Sequence, residues 1–187
     1  KFLVELNDRA IQEIVKGARV GQEFLKDVTK DIIKGGEYIY YNTPFTNFPV
    51  IQRIFTKKRN RIYTQLGYLT LQTYTNDIDN RKMVSGIAPN VIHSLDAVLL
   101  AMVVIELREV YDVKSFHFIH DQYGVPINKV KILSKVAREK FYELFSNDPL
   151  QYIVTQMYKG NSPRNISDVL LNTLDIKNVL DSKYLFS

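Results

Sequence analysis

The sequence contains no cysteine, and it has only three histidines in 187 residues. Without cysteine the chain cannot form disulfides, bind zinc or iron–sulfur clusters through thiolates, attach c-type haem or use a thiol nucleophile. The Walker A, GxGxxG and HExxH motifs are also missing. These absences exclude several common enzyme classes, and so few histidines disfavour a hydrolase triad.

Long hydrophobic runs are missing too. The longest, residues 97–105, lies between Asp96 and Glu106 and is far shorter than the ~18–20 residues of a membrane span. We therefore expect no segment to cross a membrane. A hydrophobic content of 45% with 24% charged residues is typical of a folded globular chain, and the net charge of +5 permits a polyanionic partner. Because the sequence begins with Lys1 and no signal-like segment, we expect a missing upstream part.

Apolar periodicity predicts a long helix over residues 1–34, which ends at Gly35-Gly36 because glycine adopts positive φ without strain. Its predicted buried stripe comprises Ile11, Ile14, Ala18, Leu25, Val28 and Ile32. A Tyr- and Ile-rich strand over 37–41, a turn at 42–44 and a second strand over 50–55 follow.

A basic cluster, Lys57, Lys58, Arg59 and Arg61, follows the second strand and precedes interleaved aromatic and polar residues up to Tyr74. This pattern predicts a β-hairpin with a basic tip. Lysine and arginine neutralise phosphates and tyrosine stacks on bases, so one interpretation is a nucleic-acid contact. The other is an ordinary solvated hairpin tip.

After a predicted loop at 75–82, proline at position 89 is expected to open a helix that continues to about Val110. Its polar arc comprises Asn90, His93, Ser94 and Asp96, and its predicted buried side comprises Val91, Ile92, Leu95, Leu99 and Met102. The polar arc is either a functional face or a structural hydrogen-bond network.

Alternation predicts a strand over 115–120, a turn at 122–124 and a returning strand over 125–127. His120 and Asp121 would then lie near the tip of a tight hairpin, where a carboxylate can serve as a metal ligand. Turns also favour aspartate for purely local reasons. Asn128 is predicted to cap the next helix, whose buried stripe comprises Val130, Leu133, Ala137, Phe141, Leu144 and Phe145.

Two motifs together carry a resemblance to a known family. They are Ser85–Ala97, SGIAPNVIHSLDA, and Phe118–Gly124, FIHDQYG. They closely resemble the single-subunit, bacteriophage-type RNA polymerases of phages, mitochondria, chloroplasts and linear plasmids. Further matches in the same order are Thr43-Pro44, Phe48-Pro49-Val50, Asn165–Leu170 and Ser182–Ser187. The chain thus resembles the C-terminal portion of such an enzyme.

The resemblance implies an α+β fold, the palm and fingers part of a right-hand polymerase. Residues 1–36 would be a long helix, 37–84 a hairpin region similar to the loop that reads promoter DNA and guides the transcript, and 85–187 the palm with its tail. By the same resemblance, Asp121 is the second catalytic aspartate and a magnesium ligand. His120 would lie beside the RNA 3′ end, and His93 would face the incoming nucleotide.

A single carboxylate does not complete such a site. Two-metal nucleotidyl transfer needs two carboxylates to hold the paired Mg²⁺ ions, and in the family the other aspartate and the nucleotide-binding fingers residues lie upstream. We therefore expect a DNA-directed RNA polymerase that is active only when joined to the missing half, with a DNA template, an RNA transcript and ribonucleotides as partners. Gln122 and Val98-Leu99 depart from the common family pattern.

An alternative is a catalytically inactive polymerase remnant in a larger assembly such as a mitochondrial ribosome, in contact with ribosomal RNA and proteins. The more apolar helix at Val98-Leu99 motivates this hypothesis. Abundant Lys, Ile, Asn and Tyr, whose codons are rich in A and T, favour a mitochondrial source. An organelle plasmid and a phage are the other candidates.

Overall fold

The computed structural model describes residues 16–119, 122–160, 163–166 and 175–182. The elements in chain order are α1 (Lys16–Lys34), β1 (Ile39–Asn42), β2 (Pro49–Gln52), β3 (Phe55–Thr64), β4 (Gly67–Ile78), α2 (Asn80–Glu109), β5 (His117–Ile119), β6 (Gln122–Gly124), a 3-10 turn (Ile127–Lys129), α3 (Val130–Ser146), α4 (Pro149–Met157) and α5 (Asn178–Asp181). In this part of the chain the strands form three antiparallel hairpins, β1–β2, β3–β4 and β5–β6. The expected α+β class is confirmed.

The long helix α2 lies at the centre of the core, and α1 and α3 both pack against it. Strand β1 packs on α4, so the β1–β2 hairpin is joined to the helices as well. The fully buried side chains that hold these layers together include Val28, Ile39, Tyr41, Met83, Ile87, Val91, Val103, Leu107, Val136, Leu144, Ile153 and Val154. Fully burying a side chain of the Val, Leu, Ile or Met type contributes about 1.5–3 kcal/mol to the stability of the fold.

Helix α1 ends where the sequence predicts. Its last residue is Lys34, and Gly36 follows with a φ of 77°, a value that glycine adopts without strain. Four of the predicted stripe positions fall in the described part of the helix, and Leu25, Val28 and Ile32 are buried there. Ala18 is exposed. The predicted helical residues before position 16 lie outside the described residues.

Helix α2 begins at Asn80, so the predicted start at Pro89 is wrong. The Asp79 side chain accepts a hydrogen bond from the backbone N–H of Lys82 at 3.1 Å, and this bond caps the N-terminus of α2. The predicted loop at 75–82 is therefore also wrong, because β4 continues to Ile78 and α2 follows after one residue. Pro89 lies inside the helix, between buried Ala88 and half-buried Asn90.

Within the described residues, α2 is the one helix long and apolar enough to cross a membrane, with a mean hydropathy of 1.8 in its most apolar window. The core helix of a soluble protein passes the same test. Ten residues of α2 are buried in the core here, and 39% of the apolar window is buried. The absence of a membrane span stays a prediction.

The returning strand β6 begins earlier than the sequence predicts. Gln122–Gly124 form the returning strand and not the turn, with His117 opposite Gly124 and Ile119 opposite Gln122. Gly124 permits this pairing, because a Cβ there would lie 2.9 Å from the carbonyl oxygen of His117. The predicted return at 125–127 is wrong, since a 3-10 turn begins at Ile127.

Helix α3 follows that 3-10 turn directly, so its N-cap is Lys129 and not the predicted Asn128. Leu133, Ala137 and Leu144 of the predicted stripe are buried. Phe141 is half-buried, whereas Val130 and Phe145 are exposed and therefore predicted wrongly. The rings of Phe141 and Phe145 pack on each other, with centroids 4.5 Å apart.

Candidate functional site

The polar arc of α2 divides into an anchored part and an exposed part. In the anchored part, Asn90 Nδ2 donates to Gln52 Oε1 at 2.9 Å, and Gln52 Nε2 donates to the carbonyl oxygen of Met83 at 2.6 Å. Gln52 is only 5% exposed. The hydrogen-bond network that the sequence left as an alternative is therefore confirmed for Asn90. Nothing in the sequence marks Gln52 as its buried partner.

Ser94 is anchored in a similar way. Its Oγ donates to the carbonyl oxygen of Val91 at 2.8 Å and lies 3.1 Å from the hydroxyl oxygen of Tyr41. A serine hydroxyl has one proton to give, so Tyr41 is the donor in the second contact. Burial raises the pKa of Tyr41. The neutral, proton-donating form of Tyr41 is therefore favoured.

His93 and Asp96 form the exposed part of the arc. Ile92 is 50% exposed beside them, so its predicted place in the buried stripe is wrong. At 100° per residue, positions 92, 93 and 96 share one exposed sector of the helix, whereas 90 and 94 contact the β1–β2 hairpin. The network on one flank thus fixes the helix that presents His93 on the other.

The β5–β6 hairpin joins the core through its rings. Phe118 packs edge to face on Tyr123 with centroids 5.1 Å apart, and Phe116 lies 5.7 Å from Phe118. His120 and Asp121, which follow β5 in the chain, lie outside the described residues. Their predicted roles stay predictions.

Metal binding was predicted for Asp121. Within the described ranges, no group of three or more His, Asp or Glu side chains could hold a metal ion. Asp121 itself does not belong to those ranges.

The β3–β4 hairpin places the basic cluster along a strand. Lys57, Lys58, Arg59 and Arg61 all lie on β3 and are exposed, and the turn comes later, at residues 65–66. The predicted basic tip is therefore wrong. Gly67, with a φ of 115°, closes the turn, and Thr64 Oγ1 donates to its carbonyl oxygen at 2.8 Å. The cations thus lie on a strand that is paired with β4.

Comparison with known proteins agrees with this organisation. The family model for DNA-dependent RNA polymerase matches residues 1–169, which include both motifs and all three hairpins. The chain belongs to the DNA-dependent RNA polymerase family. The resemblance seen in the sequence is thereby confirmed.

Several similar proteins in this polymerase family come from plants. The chain is 26% identical to DNA-directed RNA polymerase 1, mitochondrial, of Arabidopsis thaliana over 192 residues, covering all of this chain and 19% of that protein. It is 28% identical to DNA-directed RNA polymerase 3, chloroplastic, of Nicotiana sylvestris over 180 residues, which cover 95% of this chain and 18% of the relative. It is 29% identical to DNA-directed RNA polymerase 2A of Nicotiana tabacum, of which it covers 53%. The chain thus spans about a fifth of the first two relatives.

Proposed function

We propose that this chain is the C-terminal palm and fingers portion of a DNA-directed RNA polymerase, and that it contributes to nucleotidyl transfer together with a further stretch of polypeptide. The family match over residues 1–169 is the observation that carries the proposal. In it, residues 1–36 form the leading helix, 37–84 the hairpin region that contacts DNA and transcript, and 85–187 the palm and tail. Ribonucleotides are the substrates.

Three side chains carry the proposed chemistry. Asp121 is the second catalytic aspartate, His120 lies beside the 3′ end of the RNA, and His93 faces the incoming nucleotide. The exposure of His93 on α2 supports its assignment, since a nucleotide can reach it while Asn90 and Ser94 hold the helix from the other flank. A fixed helix positions the imidazole without further ordering when the substrate binds.

Magnesium is the cofactor that this chemistry requires. When two Mg²⁺ ions are bound, they activate the attacking 3′-hydroxyl and stabilise the leaving pyrophosphate. Asp121 supplies one carboxylate in this proposal. By the resemblance to the family, the second comes from a stretch upstream of this segment, either in the same polypeptide or in a partner chain.

The test is templated RNA extension. The 187-residue chain alone is expected to extend no primer, and addition of a polypeptide that bears the first aspartate and the fingers helix is expected to restore synthesis. In that complex, Asp121→Asn should lower kcat by about two or more orders of magnitude, because loss of one group that stabilises transition-state charge typically costs about 2.7–4 kcal/mol.

The matched control is Asp112→Asn. Asp112 is exposed on the loop after α2 with a φ of 49°, a conformation that asparagine tolerates well. Its ion pair with Lys114 is exposed, so its loss should leave extension unchanged. Equal activity of Asp121→Asn and the unchanged complex would remove Asp121 from the mechanism.

Location is part of the same proposal. The family includes mitochondrial relatives, which supports a mitochondrial site of action, and it includes chloroplastic ones as well. No observation on the described residues favours the alternative of an inactive remnant in a ribosomal assembly. That alternative would gain support if the reconstituted complex bound template and nucleotides but made no RNA.

A further inference from the structure

The β1–β2 hairpin is an uncharged stretch in a well-charged chain. Residues 38–52 contain no Asp, Glu, Lys, Arg or His, although 24% of the whole chain is charged. The next residue, Arg53, lies with its Cζ 4.8 Å from the ring centroid of Phe55 and 5.9 Å from that of Tyr38. Its guanidinium is therefore held against aromatic rings at the edge of the hairpin. This composition contrasts with β3, which carries the basic cluster.

The two sides of the hairpin differ in exposure. Ile39 and Tyr41 of β1 are fully buried, and this strand packs on α4. The opposite side carries Tyr40, which is paired with Ile51, and both are exposed. Such cross-strand partners lie side by side on one face. The hydroxyl of Tyr40 donates to Asn42 Oδ1 at 3.0 Å, so its polar end is bonded within the hairpin and the ring is left open.

The turn of the hairpin adds two exposed rings, those of Phe45 and Phe48. Buried Thr43 holds this turn: its Oγ1 accepts from the backbone N–H of Phe48 at 2.9 Å, and its carbonyl oxygen accepts from the N–H of Asn47 at 3.1 Å. Phe45 has a φ of 59°, a conformation that bulky residues rarely adopt. The turn is thus ordered by its own bonds, and its rings need little further ordering when a partner binds.

These exposed side chains form what we call the uncharged hairpin surface, which comprises Tyr38, Tyr40, Phe45, Phe48 and Ile51. Exposed apolar side chains grouped in this way mark interaction sites. Interface cores between polypeptides are depleted of charge and enriched in aromatic residues, as this surface is. A nucleic acid would find no cation within residues 38–52 to neutralise its phosphates. The chemistry therefore fits an apolar polypeptide surface.

The size of the relatives indicates which polypeptide is available. The chain spans about a fifth of the first two relatives, so most of such a polymerase lies outside it. We propose that the uncharged hairpin surface docks on an apolar surface of the upstream part of the polymerase. The inference rests on the proposed function, which requires that part, and it adds where the two meet. Within the hairpin region 37–84, β1–β2 would then bind protein, next to the strands that carry the cations.

The first test compares two variants of nearly equal shape. The 187-residue chain is titrated into the polypeptide that bears the first aspartate and the fingers helix, and association is measured by isothermal titration calorimetry. Valine and threonine both suit a strand, so Ile51→Val and Ile51→Thr differ mainly in polarity. Because burying an unpaired hydroxyl is costly, Ile51→Thr should bind at least about fivefold more weakly than Ile51→Val. Equal affinities would overturn the proposal, since position 51 would then stay in water.

The second test removes a ring from the turn. Phe48 is 66% exposed in the chain alone, and Phe48→Ala should weaken the same association at least about tenfold, as truncation of a buried interface aromatic does. Leu66→Ala is the control, because it removes an exposed apolar side chain from the β3–β4 turn, and it should change the affinity less than twofold. Equal losses in the two variants would overturn the proposal. Thermal melting by circular dichroism checks that each variant is folded.

A second copy of the chain is the competing occupant. Sedimentation velocity of the chain alone should show a monomer. A dimer that Phe48→Ala dissociates would assign the uncharged hairpin surface to self-association and overturn the proposal.

These outcomes are separable from those of the proposed function. Weak association of Phe48→Ala, combined with full extension by Asp121→Asn, would contradict the catalytic role and leave the docking surface intact. Failure of the unchanged chain to associate would reject the docking surface. Primer extension by the two segments joined in one polypeptide would in that case still retain the polymerase role.

Discussion

Gln52 is buried and hydrogen-bonds the β1–β2 hairpin to helix α2. Its replacement by leucine tests how much these bonds contribute to the stability of the fold. Gln52→Leu keeps an apolar volume in the core but removes the bonds to the carbonyl oxygen of Met83 and to Asn90 Nδ2. A typical intramolecular hydrogen bond contributes about 1 kcal/mol net, so the two together are worth about 2 kcal/mol. Asn90 is only half-buried, and water can replace part of its lost contact.

Urea unfolding followed by circular dichroism measures this change. We expect the unfolding free energy of Gln52→Leu to fall by about 2 kcal/mol, with a Tm lower by about 4–8 °C for a chain of this size. Gln22→Leu on α1 is the matched control, because Gln22 is exposed. Its effect should stay within about 0.5 kcal/mol.

A double-mutant cycle isolates the contact itself. Asn90→Leu removes the other end of the hydrogen bond, so the double variant should lose about 1 kcal/mol less than the sum of the single variants. Strictly additive losses would show that the two amides act independently. An unchanged stability of Gln52→Leu would refute the claim that this network anchors α2.

Two further changes test the core and its titration. Leu107 is fully buried at the C-terminal end of α2, so Leu107→Ala should lower the unfolding free energy by about 2–5 kcal/mol. Leu66→Ala, at the exposed hairpin turn, should lower it by less than about 0.5 kcal/mol. Similar losses in the two variants would contradict the packing. Because burial raises the pKa of Tyr41, its neutral form stabilises the fold below the ordinary tyrosine pKa, and this contribution is lost as pH rises through the raised value. Unfolding measured from pH 8 to pH 11 should therefore show a steeper alkaline loss for the parent than for Tyr41→Phe, and equal slopes would contradict the shift.

Helical periodicity predicted the architecture of this chain well. The stop of α1 at Gly36 and the buried stripe at Leu95, Leu99 and Met102 follow from local conformation and apolar spacing. The predicted start of α2 is wrong because proline is common in the first turn of a helix, and Pro89 was assigned to that position. The residue that caps the helix is Asp79, ten positions earlier. A search for N-cap residues upstream of the proline would have found it.

The candidate site was less predictable, because its geometry depends on distant partners. Asn90 and His93 lie on the same predicted arc. Asn90 is anchored by its hydrogen bond to Gln52, whereas His93 is exposed, and the sequence does not distinguish the two. The β5–β6 hairpin is a second example. Gln122-Tyr123-Gly124 has the composition of a turn, yet pairing with His117–Ile119 makes it a strand. Contacts between residues distant in sequence cannot be predicted from local strand or turn propensity.

The two faces of the β3–β4 hairpin depend on register in a way that composition cannot reveal. Residues 65 and 66 form the turn, and Gly67 takes a φ that other residues rarely adopt, so Tyr63 is paired with Tyr68 and Arg61 with Thr70. Because side chains alternate, a turn longer by one residue would place Leu69 and Leu71 on the face that carries Arg59 and Arg61 and would move Tyr68 and Tyr74 to the other face. The same basic and aromatic residues would then form two unrelated surfaces. The conformation at Gly67 is therefore what brings cations and rings together.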